Sequence, residues 1–154
     1  MANVDFSKLM AIWVRIINKV SEAESQKRDY GTGSLLSPSE IHMLQSIGTY
    51  QGIKITDLAE HMSVTKGAVS QMVKKLEIKG LVVKYSGTGN EKEVLLKLTA
   101  SGTIAKNGHD RHHAMFIEEV RDLLGDITED QALFLEKFLM AVERCVDDFN
   151  KAGD

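Results

Sequence analysis

Three observations predict a mainly α fold carrying one small β-hairpin. Residues 55–81, reading ITDLAEHMSVTKGAVSQMVKKLEIKGL, set two short amphipathic helices back to back. LVVKY and VLLKL flank the glycine-bearing segment SGTGNEKE, as the two arms of a hairpin flank its turn. Longer stretches near both ends of the chain repeat apolar residues at three- and four-residue intervals, the spacing that lines one face of a helix.

Taken in order, Phe6, Leu9, Met10, Trp13, Ile16, Ile17 and Val20 mark a first helix from about Asp5 to Glu24 with a broad apolar face. The linker DYGTGS follows. Ser37-Pro38-Ser39-Glu40 then offers an N-cap, a proline at the first helical position and a glutamate placed for a capping box, so a second helix is expected to run to about Tyr50. In the next helix Ile55, Leu58, Ala59 and Met62 point inward, and Ser63-Val64 breaks it before Thr65, an N-cap residue, starts another. Val69, Met72, Val73 and Leu76 form the inward stripe of that second helix. About 100° of rotation per residue leaves Gly67, Ala68, Gln71, Lys74, Lys75 and Ile78 on its outer half. Gly80 is the expected C-cap, SGTGNEKE the hairpin turn, and Thr99 the cap of a helix running to Leu124, where Gly125 stops it. Thr128-Glu129-Asp130-Gln131 is a second capping box, opening a last helix through Phe134, Phe138, Leu139, Val142, Val146 and Phe149.

The length of 154 residues and the 43% hydrophobic content suit a single domain with an ample core. A formal charge of -3 excludes a uniformly basic nucleic-acid binder, so any such role rests on how charge is distributed. Between Ser63 and Lys84, Lys66, Lys74, Lys75, Lys79 and Lys84 stand against Glu77 alone, a local +4; Asp110 to Asp154 carries -7. That asymmetry fits contact with phosphates through one part only. One cysteine, Cys145, excludes an intramolecular disulfide, and its apolar stripe suggests a buried structural thiol. The start MANVDFSKLM lacks an export signal and no apolar run is long enough to span a bilayer, so a cytoplasmic location is expected. No P-loop, dinucleotide glycine fingerprint, nucleophile elbow or HExxH motif argues for an enzyme.

The two short helices have the form of a helix-turn-helix reader of DNA, with the hairpin as a wing. Small Gly67 and Ala68 permit close approach at the start of the second helix. Lys74, Lys75 and Lys84 are expected to neutralise phosphates; Gln71 and Thr65 are candidates for base edges, since glutamine can pair with adenine through both amide atoms. The terminal helices carry more apolar surface than a small winged-helix domain covers, which predicts a homodimer and a pseudo-palindromic operator. The rival reading is a protein-interaction adaptor that keeps the scaffold without binding DNA.

SPSEIHMLQSIG, ITDLAEHMSVTKGAVSQMVKKLEIKGLV and VLLKLTASG, in this order of elements, resemble the MarR family of winged-helix transcriptional regulators over nearly the whole chain. The resemblance implies a single domain over 1–154, with a winged helix-turn-helix at 35–100 and a helical dimerisation region at 1–30 and 100–150. It also implies that Thr65, Lys66, Gly67, Ala68, Gln71 and Lys75 lie in or beside the major groove, and that a promoter is repressed until a small-molecule effector intervenes. The wing departs from the family's Asp-x-Arg pattern: Gly89-Asn90-Glu91-Lys92 has no arginine, leaving Lys92 as a point charge that makes weaker use of minor-groove shape. A zinc-sensing branch of the family uses histidines on the second and fifth helices, and His42, His109 and His113 are similar in placement. Tyr30 and Ile41, however, stand where that branch is expected to supply a cysteine and a carboxylate; Glu24, Glu40 and Asp110 are candidates to supply oxygen, but nothing in the sequence brings them together. No cofactor is assigned; Trp13, Met10, Met43, Met115 and Phe116 are core residues or the lining of an effector crevice.

Overall fold

The computed structural model describes residues 5–87 and 90–152, apart from the side chains of 24, 90–93, 150 and 152. Helix α1 (Phe6–Glu24) is followed by the strand pair β1 (Arg28–Asp29) and β2 (Leu35–Leu36), then α2 (Pro38–Thr49), β3 (Ile53–Lys54), α3 (Ile55–His61), α4 (Lys66–Ile78), β4 (Val82–Gly87), β5 (Asn90–Leu98), α5 (Ala100–Leu124) and α6 (Glu129–Ala152). The chain divides into two compact units, the first ending at His112 and the second starting at His113.

The caps predicted for α2, α4, α5 and α6 are present at atomic detail, and α1 has one that the sequence did not single out. Asp5 accepts from the Ser7 N–H at 3.0 Å and starts α1. Ser37 and Glu40 complete the capping box of α2, with the Ser37 N–H donating to Glu40 Oε2 at 2.8 Å. Thr65 Oγ1 accepts from the Ala68 N–H at 3.2 Å. At the front of α5, Thr99 Oγ1 accepts from the Gly102 N–H at 3.0 Å and donates to the Gly80 carbonyl at 2.7 Å, tying that helix to the end of α4. The Thr128–Gln131 box opens α6. Each satisfies an N–H that a helix start leaves without an internal acceptor.

Two parts of the sequence reading need correction. SGTGNEKE is not all turn: β4 extends through Gly87 and β5 begins at Asn90, with Gly87 opposite Asn90 and a register shift at Ser86/Gly87. Once Val82–Leu98 and Val83–Lys97 are paired, each further pair of backbone groups extends the ladder as far as Ser86–Val94, before the register shifts. DYGTGS is not a plain linker either. Arg28 and Asp29 pair with Leu36 and Leu35, and the Asp29 carboxylate accepts from the N–H groups of Gly31, Thr32 and Gly33. Those bonds, that from Thr32 foremost, hold its pKa below the ordinary value although partial burial opposes them.

In the first unit, β3–β5–β4 form an antiparallel sheet beside α2, α3 and α4. The core is built from Leu36, Ile41, Leu44 and Ile47 around α2, Leu58 of α3, Val69, Val73 and Leu76 of α4, and Leu81, Val82 and Leu96 of the sheet. The backbone of α5 comes close to this core because two positions lack side chains. A Cβ on Gly102 would lie 2.0 Å from the Leu81 carbonyl oxygen, and one on Gly108 would lie 2.3 Å from that of Tyr30.

Candidate nucleic-acid interface

The turn between α3 and α4 is made by Ser63, whose φ of 53° is left-handed, and is closed by the Val64 N–H donating to the Ala59 carbonyl at 3.0 Å. That geometry swings the chain so that Thr65, extended at ψ 147°, begins α4. Val69, Val73 and Leu76 are fully buried, and this fixes the rotation of α4 about its axis. The opposite side is exposed at Lys66, Gly67, Ala68, Gln71, Lys74, Lys75 and Ile78, a face of small residues at the helix start followed by one amide and two ammonium groups. Thr65 is exposed as well; with its oxygen accepting from Ala68, its hydroxyl hydrogen is left to donate outward.

The lysines of this region fall into two sets. Lys79 Nζ sits 2.8 Å from Glu40 Oε1 and donates to the Leu35 carbonyl at 3.0 Å, so it clasps α4 to α2. Burial pushes the Glu40 pKa up, but hydrogen bonds from Lys79 and the Ser37 N–H, with the Lys79 charge, outweigh it and leave the carboxyl below its ordinary range. Lys84 Nζ is 2.7 Å from Glu77 Oε2, so a group expected to meet phosphate already has an internal partner. Among the described residues, Lys66, Lys74 and Lys75 have no ion-pair partner. Lys92 was also expected to meet DNA; its side chain lies outside the described residues.

His42 and His109 lie together in the first unit. His109 is 4% exposed, and the rings of Tyr30 and His42 approach it edge-on, with centroids 5.4 and 5.5 Å away. Ile41 is in the core, so the position expected to hold a carboxylate contributes an alkyl group instead. The neighbouring Arg28 donates to His112 Nε2 at 2.9 Å. His113 is exposed and opens the second unit. Among the described residues no group of three or more His, Cys, Asp or Glu side chains is disposed to hold a metal ion. Tyr30 and Ile41 put an aromatic ring and a hydrocarbon where a cysteine and a carboxylate were expected, so those two positions offer zinc no donor of that kind; the side chain of Glu24, a candidate oxygen donor, lies outside the described residues.

Cys145 is exposed in the chain by itself, contrary to the buried thiol expected from its apolar stripe. Much of the α6 stripe is uncovered: Phe134, Leu139, Val146 and Phe149 are also exposed, while Phe138 and Val142 are half-buried. Of the residues considered as core or crevice lining, Met43 is core, whereas Met10, Met115 and Phe116 are exposed.

The family model described as MarR family matches residues 36–94, the segment from β2 through the wing. Over 127 residues the chain is 31% identical to the HTH-type transcriptional regulator YhjH of Bacillus subtilis (strain 168), covering 81% of this chain and 73% of that protein. The chain belongs to the MarR family. This MarR-family transcriptional regulator also shares its fold with Streptococcus pneumoniae FabT, solved in complex with DNA, at TM-score 0.74 and 23% identity, covering 94% of this chain and 99% of that one. Lactococcus lactis ZitR, a zinc-responsive MarR family member, aligns at TM-score 0.70 and 18% identity over 91% of this chain and 98% of its own. No helix among the described residues is long and apolar enough to cross a membrane.

Sequence reasoning missed β3 and the Glu40–Lys79 clasp. Two residues of strand after Gly52 give no periodicity to detect, and a pair separated by 39 residues leaves no local signal.

Proposed function

We propose that this MarR-family regulator works in the cytoplasm as a homodimer, laying the exposed face of α4 in the major groove of double-stranded DNA. The observation that carries the reading is the division of α4 itself: one side is locked into the core by Val69, Val73 and Leu76, while Lys66, Gly67, Ala68, Gln71, Lys74 and Lys75 stand outward together. Lys74 and Lys75 bind phosphates, Gln71 and Thr65 read bases, and Gly67 and Ala68 let the helix approach the groove floor. Lys84 reaches phosphate by exchanging Glu77, and Lys92 touches the backbone from the wing. The helical segments 1–30 and 100–150 pair two copies, so that two recognition helices meet pseudo-palindromic half-sites about 10 base pairs apart.

On this reading the bound dimer blocks a promoter, and a small effector releases it by binding one dimer geometry more tightly than the other. Duplex binding measured at low and moderate salt tests it. A steep loss of affinity with salt is expected, because released counterions drive the association. Absence of binding even in dilute buffer would favour the adaptor reading instead.

A further inference from the structure

A crevice of about 320 Å³ lies between the end of α2, the end of β5 and the first turns of α5, wholly within the first unit and away from the outward face of α4. Lys97 and Lys106 line it, together with the side-chain amides of Gln51 and Asn107. Ile47 and Leu98 supply an apolar wall. Gly48 belongs to the same wall: a Cβ there would lie 2.6 Å from Lys106 Cδ and 2.8 Å from Leu98 Cδ1, so only a bare α-carbon lets the Lys106 stem lie against α2.

We propose that this crevice binds a small phosphate-bearing molecule, with Lys97 and Lys106 neutralising the phosphate and the Gln51 and Asn107 amides donating to its oxygens. Two lysines and two neutral amides on one lining suit a compact phosphate, whose several oxygens can be shared among them, better than a monocarboxylate with only two. Each lysine is held by a contact outside the lining. Lys97 Nζ lies 5.1 Å from the centroid of the Tyr85 ring, and Lys106 pairs with Asp110 at 2.6 Å one helical turn along. Both are contacts of partly exposed groups, which a dianion displaces or shares at small cost. Asp110 accepts in turn from Gln45 Nε2 at 3.4 Å, and the Thr103 hydroxyl donates to the Thr99 carbonyl, so neither the Gln45 amide nor the Thr103 hydroxyl is counted among the donors. The volume accommodates a whole small molecule rather than one edge of a polymer.

The test is a titration of the full-length protein with phenyl phosphate, with inorganic phosphate and with potassium chloride at matched ionic strength, followed by calorimetry and by amide chemical shifts. Saturable binding of a phosphate, with shifts at Gly48, Lys97, Lys106 and Asn107, is expected. Tighter binding of phenyl phosphate would identify an ester as the natural ligand, and equal binding free phosphate. Lys106→Gln and Lys97→Gln should each weaken binding roughly tenfold. Asn107→Ala should weaken it several-fold, and Lys27→Gln, an exposed lysine elsewhere, should leave it unchanged. The proposal is overturned by an equal response to chloride, by shifts confined to other residues, or by unaltered binding in both lysine variants. It is also overturned if those variants lower duplex DNA affinity without any added phosphate, since the crevice would then serve the DNA backbone.

Discussion

Gln71 and Lys75 sit one turn apart on the same exposed side of α4, yet their chemistry separates their effects. An amide discriminates among base edges by donating and accepting at once, whereas an ammonium is attracted to any phosphate. Gln71→Ala should therefore alter the ranking of operator variants, by about 1 to 3 kcal/mol at the base it reads, with little change in salt dependence. Lys75→Ala should weaken binding to all sequences alike and reduce the slope of log affinity against log salt by about 1. Fluorescence anisotropy on a small operator panel at several salt concentrations separates the two, and an unchanged affinity in both variants would show that α4 is not the reading face. Glu40 acts on stability. Its carboxylate, 8% exposed, receives Lys79 and the Ser37 N–H, so Glu40→Gln should cost about 1 to 3 kcal/mol at neutral pH in chemical denaturation. Because its folded pKa is lowered from 4.5, the stabilisation is complete above that value and fades as pH falls through the folded pKa. The wild type and Glu40→Gln curves should accordingly converge in acid.

Among the elements, α5 shows most clearly how a poor helix sequence can be the right one. Gly102 and Gly108 each cost the helix up to about 1 kcal/mol in intrinsic propensity relative to alanine. They are kept within a helix because the Leu81 and Tyr30 carbonyls occupy the space where a Cβ would be. Gly102→Ala should thus lower stability by about 1 to 3 kcal/mol despite alanine's better propensity, read as a fall in melting temperature. A stabilised variant would mean that the close packing of α5 on β4's approach is not as described. The first turn of α5 is also tied by Thr99 to the Gly80 carbonyl just past α4, so a substitution at Gly102 disturbs the same junction that ends α4. At the wing, the two strands run closer to the tip than their apolar residues indicate, since hydrogen-bond pairing does not require the side chains to be hydrophobic.

For the whole molecule the unanswered apolar surface matters most. Phe6 is 64% exposed on α1 and Phe149 81% exposed on α6, each within a row of exposed aliphatic neighbours. Continuous rows of this kind are rare on monomers and are the expected seat of subunit contact. Phe149→Asp should shift the species seen by sedimentation equilibrium towards monomer and weaken operator binding, because half-sites would be engaged singly rather than jointly. A variant that stays dimeric with full DNA affinity would remove the α6 face from the proposed interface. Exposure of Cys145 belongs to the same question, as it lies in the row that a second copy would cover.

The sequence by itself determined the helices of the helix-turn-helix, their caps and the rotation of α4, because these depend on residues within one or two turns of each other. The SPSE and TEDQ boxes, Thr65 and the stripe from Val69 to Leu76 are local statements, and the structure repeats them. Tertiary structure alone decided which lysines remain outward: Lys79 meets Glu40 and Lys84 meets Glu77 only after α2, α4 and β4 have packed. It likewise turned His42 and His109 into an edge-on ring cluster with Tyr30, and opened a lysine-lined crevice between segments about fifty residues apart. Helical periodicity is written in neighbouring residues, whereas the partner of a charge is chosen by the folding of distant ones.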